Sequence, residues 1–339
     1  MYEQHWKGAT ARRSMGSFHR RPSAFIGGSL CLALFCTAAD AADYPTKPIR
    51  LIVASAPGGA PDILGRIVAQ KLGERLAQQV VVDNRAGASG IIGAELTARA
   101  APDGYTLLLG ATTLLAILPV LNTRLPYDPE RDLAAVTQIA LAANVVVVHP
   151  GVGAASVREL IEVAKRRPLN FASAGNGTPA HLAGEMLNQM GGVKLAHVPY
   201  KGAGPALADL LAGQVHVLIT SPIAALPHVQ SGKLKLLAST GAQRNPTLPD
   251  LPTVAETLPG YEITQWWGLN APARTPSAII ERLHRLTAPA LQQADVKERI
   301  HAQGAIAVGN TPAEFARFIR VERQRIATLV KQAGIAIEP

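Results

Sequence analysis

The sequence predicts an α/β fold with two doubly wound parallel-sheet domains, and two observations lead to this prediction. Short apolar runs rich in β-branched residues alternate with segments of helical periodicity, which is the pattern of parallel strands joined by crossover helices. The same alternation then occurs a second time, after a further strand at Asn144–His149. Each half of the chain therefore predicts one open sheet whose strands end in loops of small and polar residues.

The first strongly patterned stretch contains the unit that the rest of the chain repeats. A β-branched run, Ile49–Ala54, has the length and composition of a buried parallel strand. It ends at Pro57-Gly58-Gly59, and Pro61 and Asp62 then provide the signals that begin a helix extending to Leu76. Such a turn leaves free backbone N–H groups at a helix N-terminus, which favours the binding of an anion there.

The remaining strands of the first half follow the same plan. Strand 80–84 leads through loop 85–90 into a helix predicted over 91–100, and strand 105–110 ends in loop 111–113. The second half has strands at 169–172, 195–198 and 215–219. Their loops at 173–180, 200–205 and 220–222 correspond in order to the loops at 55–62, 85–90 and 111–113. The chain therefore contains a structural repeat.

Two extended segments, Asn144–Pro150 and Tyr261–Pro272, separate the halves, and the helices beyond the second segment return the chain to the first domain. We predict a signal peptide over 1–42, a discontinuous first domain over 43–143 plus 268–339, and a second domain over 144–267. Ligands of open parallel sheets bind beyond the carboxyl ends of the strands. The six loops are therefore expected to face one cleft, and the two crossing segments are expected to form its hinge.

The amino-terminal segment has the three parts of a signal peptide. Five basic residues precede an apolar run, Ala24–Ala39, and small residues follow at Ala39-Asp40-Ala41-Ala42. Cleavage is predicted near Ala41 or Ala42, which gives an exported, periplasmic protein. Both cysteines, Cys31 and Cys36, lie in the segment to be removed, so disulfides and thiol chemistry are excluded from the mature chain.

Composition and motif spacing argue against several other classes. The formal net charge is +9 for the full sequence and +6 without residues 1–42, which is mildly favourable for anionic small molecules, but no Lys/Arg cluster is dense enough for nucleic acid. No pair of histidines has a metal-binding spacing. The glycines of Gly87–Gly93 miss the dinucleotide spacing because Ser89 stands at the second glycine position. No G-x-S-x-G elbow occurs either. We therefore predict neither a metal, nor a cofactor, nor an enzyme.

The strand-end loops supply a set of small hydrogen-bonding residues that could hold a carboxylate through hydroxyls and backbone dipoles. Any one of them could equally be a turn residue or a helix cap, and Asp62 is better suited to bracing its own loop than to touching an anion. The predicted ligand-binding residues are Ser55, Gly58, Gly59, Asp62, Ser89, Gly90, Thr112, Thr113, Ser173, Asn176, Thr178, His181, Lys201, Gly202 and Ser221.

Nine short motifs, in order along residues 44–339, resemble one family. They are Tyr44-Pro-x-Lys-Pro48, Pro57-Gly-Gly-x-x-Asp62, Asn84-Arg-x-Gly87, Ala101-Pro-Asp-Gly-Tyr105, Leu125-Pro-Tyr-Asp128, Ser173-Ala-Gly-Asn-Gly177, His197-Val-Pro-Tyr-Lys-Gly202, Leu251-Pro-Thr-Val254 and Trp267-Gly-Leu269. On these residues the chain resembles the periplasmic solute receptors of tripartite tricarboxylate transporters, the Bug proteins.

The resemblance implies a two-domain fold of the periplasmic-binding-protein, or Venus-flytrap, type that closes on a small organic carboxylate and delivers it to membrane transporter subunits. It also implies that the Pro-Gly-Gly loop holds one carboxylate and that loops of the second domain read the rest of the ligand. The chain departs from many relatives at Ser55-Ala56, at Leu118 and at His216, where relatives often have an aromatic residue, an Asn and an Asp. These departures bear on the identity of the ligand.

Two alternatives remain at this stage. The protein could be a ligand sensor that presents its closed form to a membrane signalling protein, and gene neighbours would discriminate this from transport. A hydrolase is the other alternative, and turnover of esters or amides would support it.

Overall fold

The computed structural model describes residues 44–58, 60–200 and 202–333, so the predicted signal peptide, Gly59 and Lys201 lie outside the described residues. The strands are β1 (Ile49–Val53), β2 (Val80–Asn84), β3 (Thr106–Ala111), β4 (Leu133–Ala143), β5 (Val145–Val148), β6 (Asn170–Ser173), β7 (Ala196–Pro199), β8 (Val217–Thr220), β9 (Lys235–Ser239), β10 (Thr264–Pro272) and β11 (Ile306–Ala307).

The helices between them are mostly those that periodicity predicts. They are α1 (Ala60–Leu76), α2 (Ile91–Ala98), α3 (Leu118–Leu121), α4 (Pro129–Asp132), α5 (Val157–Arg166), α6 (Pro179–Gly191), α7 (Ala203–Leu211), α8 (Pro222–Gln230), α9 (Ser277–Leu291), α10 (Ala294–His301) and α11 (Pro312–Ala333). A π-helical turn, Thr113–Ile117, precedes α3. None of the helices in these ranges is long and apolar enough to cross a membrane.

The strands form two sheets, and each sheet with its helices is called a lobe below. The first sheet has the order β2-β1-β3-β10-β4-β11 and the second has the order β7-β6-β8-β5-β9. In both, the first three strands are parallel and the fourth and fifth run antiparallel to their neighbours. The predicted α/β fold with two similar sheets is confirmed, and so is the matching of strands between the halves.

The sheets are mixed, however, whereas wholly parallel sheets were predicted. The antiparallel strand next to the parallel three is in each case the one that arrives from the other lobe: β5 follows β4 across the first connection, and β10 follows β9 across the second. Strand β4 was missed because its sequence, Leu133–Ala143, is rich in alanine, which strands otherwise avoid. Pairing with β10 and β11 on its two sides stabilises it there.

The two connections between the lobes lie side by side and share one residue. The buried hydroxyl of Thr240 accepts a hydrogen bond from the backbone N–H of Asn144 (3.0 Å) and donates one to the carbonyl of Ile263 (2.7 Å). The backbone of Thr240 also pairs with both residues. The first connection and the second are therefore tied together at one level. The exact domain boundaries stay a prediction, although Thr264–Trp267 pair within the first sheet.

Helix α11 packs against both lobes. It contacts β4 and α3 of the first lobe and α6 of the second. Phe315 and Phe318 meet the ring of the buried Trp266 edge-on, at centroid distances of 5.8 and 5.3 Å. Arg325 pairs with the buried Glu322 at 2.9 Å and donates to the carbonyl of Glu262, on the second connection. The carboxyl-terminal helix therefore supports the connections between the lobes from outside the sheets.

Candidate functional site

A cavity of about 320 Å³ lies between the two lobes, at the carboxyl ends of the parallel strands. Residues from both sheets and from both connections line it. The lining consists of Ala54, Ala60, Pro61, Ser89, Ala111, Thr112, Thr113, Leu114, Asn144, Ala174, Thr178, Pro179, Ala180, Ala203, Ile219, Thr220, Ser221, Gln265 and Trp267. The loops that follow β1, β2, β3, β6, β7 and β8 thus all contribute, which is the arrangement expected from the strand order.

Five of the predicted site residues line this cavity, namely Ser89, Thr112, Thr113, Thr178 and Ser221. Eight others lie in the same loops or at the strand and helix ends beside them without lining it: Ser55, Gly58, Asp62, Gly90, Ser173, Asn176, His181 and Gly202. Gly59 and Lys201 lie outside the described residues. As a set, the predicted ligand contacts therefore remain a proposal.

The loop after β1 is braced by the carboxylate of Asp62. This side chain is only 3% exposed and accepts hydrogen bonds from the N–H of Gly58 (2.9 Å), the amide of Asn84 (3.0 Å) and the guanidinium of Arg66 (3.0 Å). Asn84 donates a second bond to the carbonyl of Ser55 (3.2 Å). Burial on its own would raise the pKa of Asp62, but the three donors outweigh it, and the pKa is lowered. The carboxylate shapes the loop rather than facing the cavity.

The loop after β2 has an unusual backbone. Gly87, Ala88, Ser89 and Gly90 all have positive φ, between 46° and 119°. Ala88 and Ser89 carry a Cβ, so the left-handed conformation costs about 1 kcal/mol or more for each. A Cβ on Gly90 would lie 3.0 Å from the carbonyl oxygen of Ala54, which requires glycine there. The turn brings Ser89 to the cavity with its side chain exposed.

The hydroxyl of Thr112 is occupied within the protein. It accepts from the N–H of Trp266 (2.7 Å) and donates to the carbonyl of the same residue (3.2 Å), so it joins the end of β3 to β10. Thr112 is 2% exposed. Its contribution to the cavity is therefore its position at the start of the helical turn Thr113–Ile117, where the first backbone N–H groups lack helical partners.

In the second lobe, neutral side chains brace the corresponding loop. The fully buried hydroxyl of Ser173 accepts from the N–H of Gly175 (3.2 Å) and lies 2.7 Å from Nε2 of His197. Thr178 caps α6 by accepting from the N–H of His181 (3.3 Å) and donates to the carbonyl of Gly175 (2.8 Å). Of the predicted residues of this loop, Ser173 and Thr178 therefore hold the loop together.

Behind this loop, three aromatic rings form a stack. His181 lies 4.0 Å from His197 between ring centroids, and His197 lies 4.7 Å from Phe171. Burial lowers the pKa of His197 to about 4, helped by the charge of His181, and burial also lowers the pKa of His181. Both imidazoles are therefore neutral near pH 7. Nδ1 of His181 accepts from the N–H of Gly177 at 3.2 Å.

The Ser173–His197 contact has the spacing of a nucleophile and its base, but its surroundings do not suit hydrolysis. Neither residue lines the cavity, and Ser173 is fully buried with its hydroxyl shared between His197 and Gly175. A nucleophile needs an open path to its substrate and a donor for the developing oxyanion. We interpret the pair as a brace of the loop.

Asn144, Gln265 and Trp267 line the cavity and were missed as site residues. All three lie in the crossing segments that the sequence predicts as the hinge, and in the structure Gln265 and Trp267 belong to β10. Trp267 is 2% exposed and presents an aromatic surface to the cavity. The equivalence of the two crossing segments, both ending beside the same cleft, is the signal that could have identified them.

The chemistry of the lining is neutral and mixed. Of the described residues that line the cavity, none is charged; its hydrogen-bonding groups are hydroxyls, two side-chain amides and backbone groups, and its apolar surface includes Leu114, Ile219 and Trp267. Such a surface can orient a small polar ligand by hydrogen bonds and cover its hydrocarbon part. Within the described ranges, no group of three His, Cys, Asp or Glu residues could hold a metal ion.

A second cavity, of about 420 Å³, lies between α6 and α11 and contains none of the predicted site residues. Met186, Met190 and Leu329 contribute to its lining, together with Arg325. This second cavity lies away from the strand ends, and none of the strand-end loop residues lines it. The cavity between the lobes is therefore the candidate ligand site.

Comparison with known proteins identifies relatives that cover nearly the whole chain. A family model described as tripartite tricarboxylate transporter family receptor matches residues 64–335. Protein BugT of Bordetella pertussis is 39% identical over 319 residues, which are 93% of this chain and 98% of BugT. The family that the motifs suggest is thereby confirmed.

Two solved structures carry bound acids. Rpa4515 of Rhodopseudomonas palustris with adipate is 36% identical, with a TM-score of 0.80 over 87% of this chain and 99% of that one. MatC of the same organism with bound malate is 30% identical, with a TM-score of 0.75 over 85% of this chain and 100% of that one. Both agree with the fold described above.

Proposed function

Because the chain belongs to the tripartite tricarboxylate transporter receptor family, a family of solute-binding receptors, we propose that it captures a small carboxylate in the cavity between its lobes and delivers it to a membrane transporter of that class. The proposed site is the set of strand-end loops predicted from the sequence, together with the hinge residues that line the cavity. The protein acts by binding and release, without chemical change of the ligand.

One observation carries this proposal. Six strand-end loops from two sheets with matching strand order converge on one neutral cavity, and the polar side chains of Asp62, Ser173 and Thr112 are occupied in bracing the structure around them. The groups that remain for a ligand are mainly backbone N–H donors and hydroxyls, which can solvate a carboxylate without a charged partner. The acids bound by Rpa4515 and MatC support this ligand class.

The predicted signal peptide supports export, and we propose that the mature protein acts in the periplasm. Capture there requires that the lobes move apart and together about the tied connections at Asn144, Thr240 and Ile263. Transfer to the transporter requires the reverse movement at the membrane surface.

Thermal unfolding in the presence of a panel of acids tests the binding function. A ligand at 100 times its dissociation constant stabilises the folded state by about 2.7 kcal/mol, which raises the unfolding midpoint measurably. Adipate and malate are the first acids to use, and adipamide is the control because it lacks the charge. We expect at least one acid to raise the midpoint while its amide does not; absence of any shift with the refolded protein would contradict the proposal.

Tryptophan fluorescence supplies an independent measurement of the site. Apart from Trp6 in the predicted signal peptide, the chain has only Trp266 and Trp267. Trp267 lines the cavity, whereas Trp266 packs against α11. The fluorescence change produced by a bound acid should persist in Trp266→Phe and be lost in Trp267→Phe. The opposite result would move the ligand away from this cavity.

A further inference from the structure

We propose that Asn144 is a ligand-binding residue whose carboxamide, at the hinge, recognises an oxygen of the ligand's second polar group. The inference rests on the proposed function and extends it, because it assigns to the connection between the lobes a direct contact with the ligand. It commits the ligand to an acid that carries a second carboxylate or a similar oxygen acceptor at the end opposite its anchored carboxylate.

The backbone of Asn144 is held by two hydrogen bonds to Thr240. Its N–H donates to the hydroxyl of Thr240 at 3.0 Å, and its carbonyl accepts from the N–H of the same residue at 2.9 Å. Asn144 joins β4 to β5 and is therefore the single residue between the two sheets on the first connection. A side chain on so constrained a backbone has a defined direction.

The side chain of Asn144 is buried, with the residue 4% exposed, yet its amide nitrogen donates no hydrogen bond to the described residues. A buried donor that is left unpaired destabilises the folded protein. Such a group is expected at a functional site, where rotation of the carboxamide can bring the unpaired N–H to an acceptor on a ligand.

The residue also lines the cavity between the lobes, as does Gln265 of β10. The nitrogen and oxygen of a carboxamide exchange places on a half turn about its last bond, so the group can present its N–H to a ligand oxygen in the cavity. The strand-end loops follow the parallel strands of the two sheets, whereas Asn144 lies on the first connection between the sheets and Gln265 lies in β10. We expect an acid anchored at the loops to reach Asn144 with its far end.

A contact at this point couples the ligand to the hinge. Thr240 ties the backbone of Asn144 to Ile263 on the second connection, so a ligand that binds Asn144 bears on both connections together. A ligand shifts a conformational equilibrium only by binding one state better than the other. The contact with the Asn144 carboxamide gives the ligand different affinities for the two states. The distance from the loops to this carboxamide, which the ligand must span, depends on how far the lobes have closed.

The test compares paired acids on the whole mature protein. Succinate, adipate and suberate each carry two carboxylates, and butyrate, hexanoate and octanoate have the same chain lengths with one. Calorimetric titration of wild type and Asn144→Ala gives the affinity for each acid. We expect Asn144→Ala to weaken the best dicarboxylate about tenfold or more, as for the loss of a hydrogen bond to a charged acceptor, and to change the matching monocarboxylate about twofold or less.

Two further variants separate binding from folding. Asn144→Asp keeps the shape of the side chain but replaces the N–H donor with a carboxylate. We expect this variant to fold but not to bind the dicarboxylate, because the two carboxylates repel each other. Asn270→Ala is the matched control: Asn270 is 1% exposed and its carbonyl oxygen is also unpartnered among the described residues, but it does not line the cavity. The affinity of the Asn270→Ala variant for every acid should equal that of the wild type.

The unliganded proteins provide a second readout. The amide nitrogen of Asn144 has no hydrogen bond to lose among the residues that the structure describes, so Asn144→Ala without acid should unfold at the wild-type midpoint or above it. A purely structural role predicts a lower midpoint with unchanged affinities, and that result overturns the proposal. The proposal is also overturned if the wild type binds an acid and Asn144→Ala weakens the dicarboxylate and the matching monocarboxylate equally. Failure of the wild type to bind any acid instead contradicts the proposed function, and this inference with it.

Discussion

The two lobes have the same strand order but stabilise their strand-end loops with different chemistry. In the first lobe, the loop after β1 surrounds the buried carboxylate of Asp62, with Arg66 as its charged partner. In the second lobe, the equivalent loop after β6 surrounds the neutral hydroxyl of Ser173 and the ring of His197. The shared topology therefore does not determine how a loop is held.

The two braces differ in their expected strength and in their charge. A charged brace holds the first-lobe loop through several donors at once, and removal of one partner leaves the others buried and unpaired. The neutral brace of the second lobe is weaker for each contact and carries no net charge toward a ligand. Under the proposed function, we expect this contrast where a first lobe anchors one constant group and the loop of a second lobe varies with the ligand.

The largest expected effect follows from the removal of the charged brace. Asp62→Ala leaves the N–H of Gly58 and the amide of Asn84 without their acceptor, and we expect the free energy of unfolding to fall by about 3 kcal/mol. Ser173→Ala, the counterpart in the second lobe, should cost about half as much. Denaturant unfolding with unchanged slope measures both, and equal losses would remove the distinction between the two braces.

The paired glycines of the second loops give an intermediate effect. Gly90 has φ +92°, and a Cβ there meets Ala54 and Leu114 at 3.0 Å, whereas Gly202 has φ +120° with nothing within 4 Å of its Cβ position. Gly90→Ala should lower the free energy of unfolding by about 2 kcal/mol and Gly202→Ala by about 1 kcal/mol, since only backbone strain acts at the second site. Thermal unfolding of the two variants checks this order, and a reversed order would show that the loops differ in another way.

The smallest expected effect is on the dependence of stability on pH. The pKa of His197 lies at about 4 in the folded protein, below its ordinary value of 6.5, so the unfolded chain binds a proton first as the pH falls. The stability of the protein should therefore decrease from pH 6.5 toward pH 4. Because His197 is partly exposed, the slope should remain well below the ~1.4 kcal/mol per pH unit of one fully buried proton site.

His197→Phe tests this contribution, because phenylalanine can continue the stack on Phe171 without titrating. The variant should be less sensitive to pH between 6.5 and 4. Asp62 acts in another range: its pKa is lowered below 3.8, so its contribution is complete above that pH and is lost only as the pH falls further. A wild-type profile without any slope between pH 6.5 and 4 would contradict the neutral burial of His197.

The elements of this fold were largely predictable because each unit carries its own local signals. Strand β1, the turn at Pro57-Gly58 and helix α1 follow from β-branched residues, turn residues and helical periodicity in one short stretch. Strand β4 and the antiparallel direction of β5 and β10 were not predictable in this way, because they depend on partners that are distant in sequence. Local pattern determines an element, whereas pairing across the lobes determines its direction.

The site was predictable at the level of loops and less so at the level of side chains. The six loops converge as expected, but residues such as Thr112, Ser173 and Asp62 use their polar atoms inside the protein. Their sequence signal is the same whether a hydroxyl faces a ligand or a backbone group. Asn144 and Trp267 were missed for the opposite reason, since their positions in crossing strands gave no sign that they also line the cavity.

The hydroxyl of Thr240 has a consequence for the rates at which a ligand enters and leaves. Since it joins the two connections at one level, they cannot bend independently, and opening is expected to proceed as one rotation with one barrier. Capture and release would then follow the same path in opposite directions. The residence time of the ligand would then depend on the rotation about Thr240. A membrane partner that holds the lobes apart would hasten release.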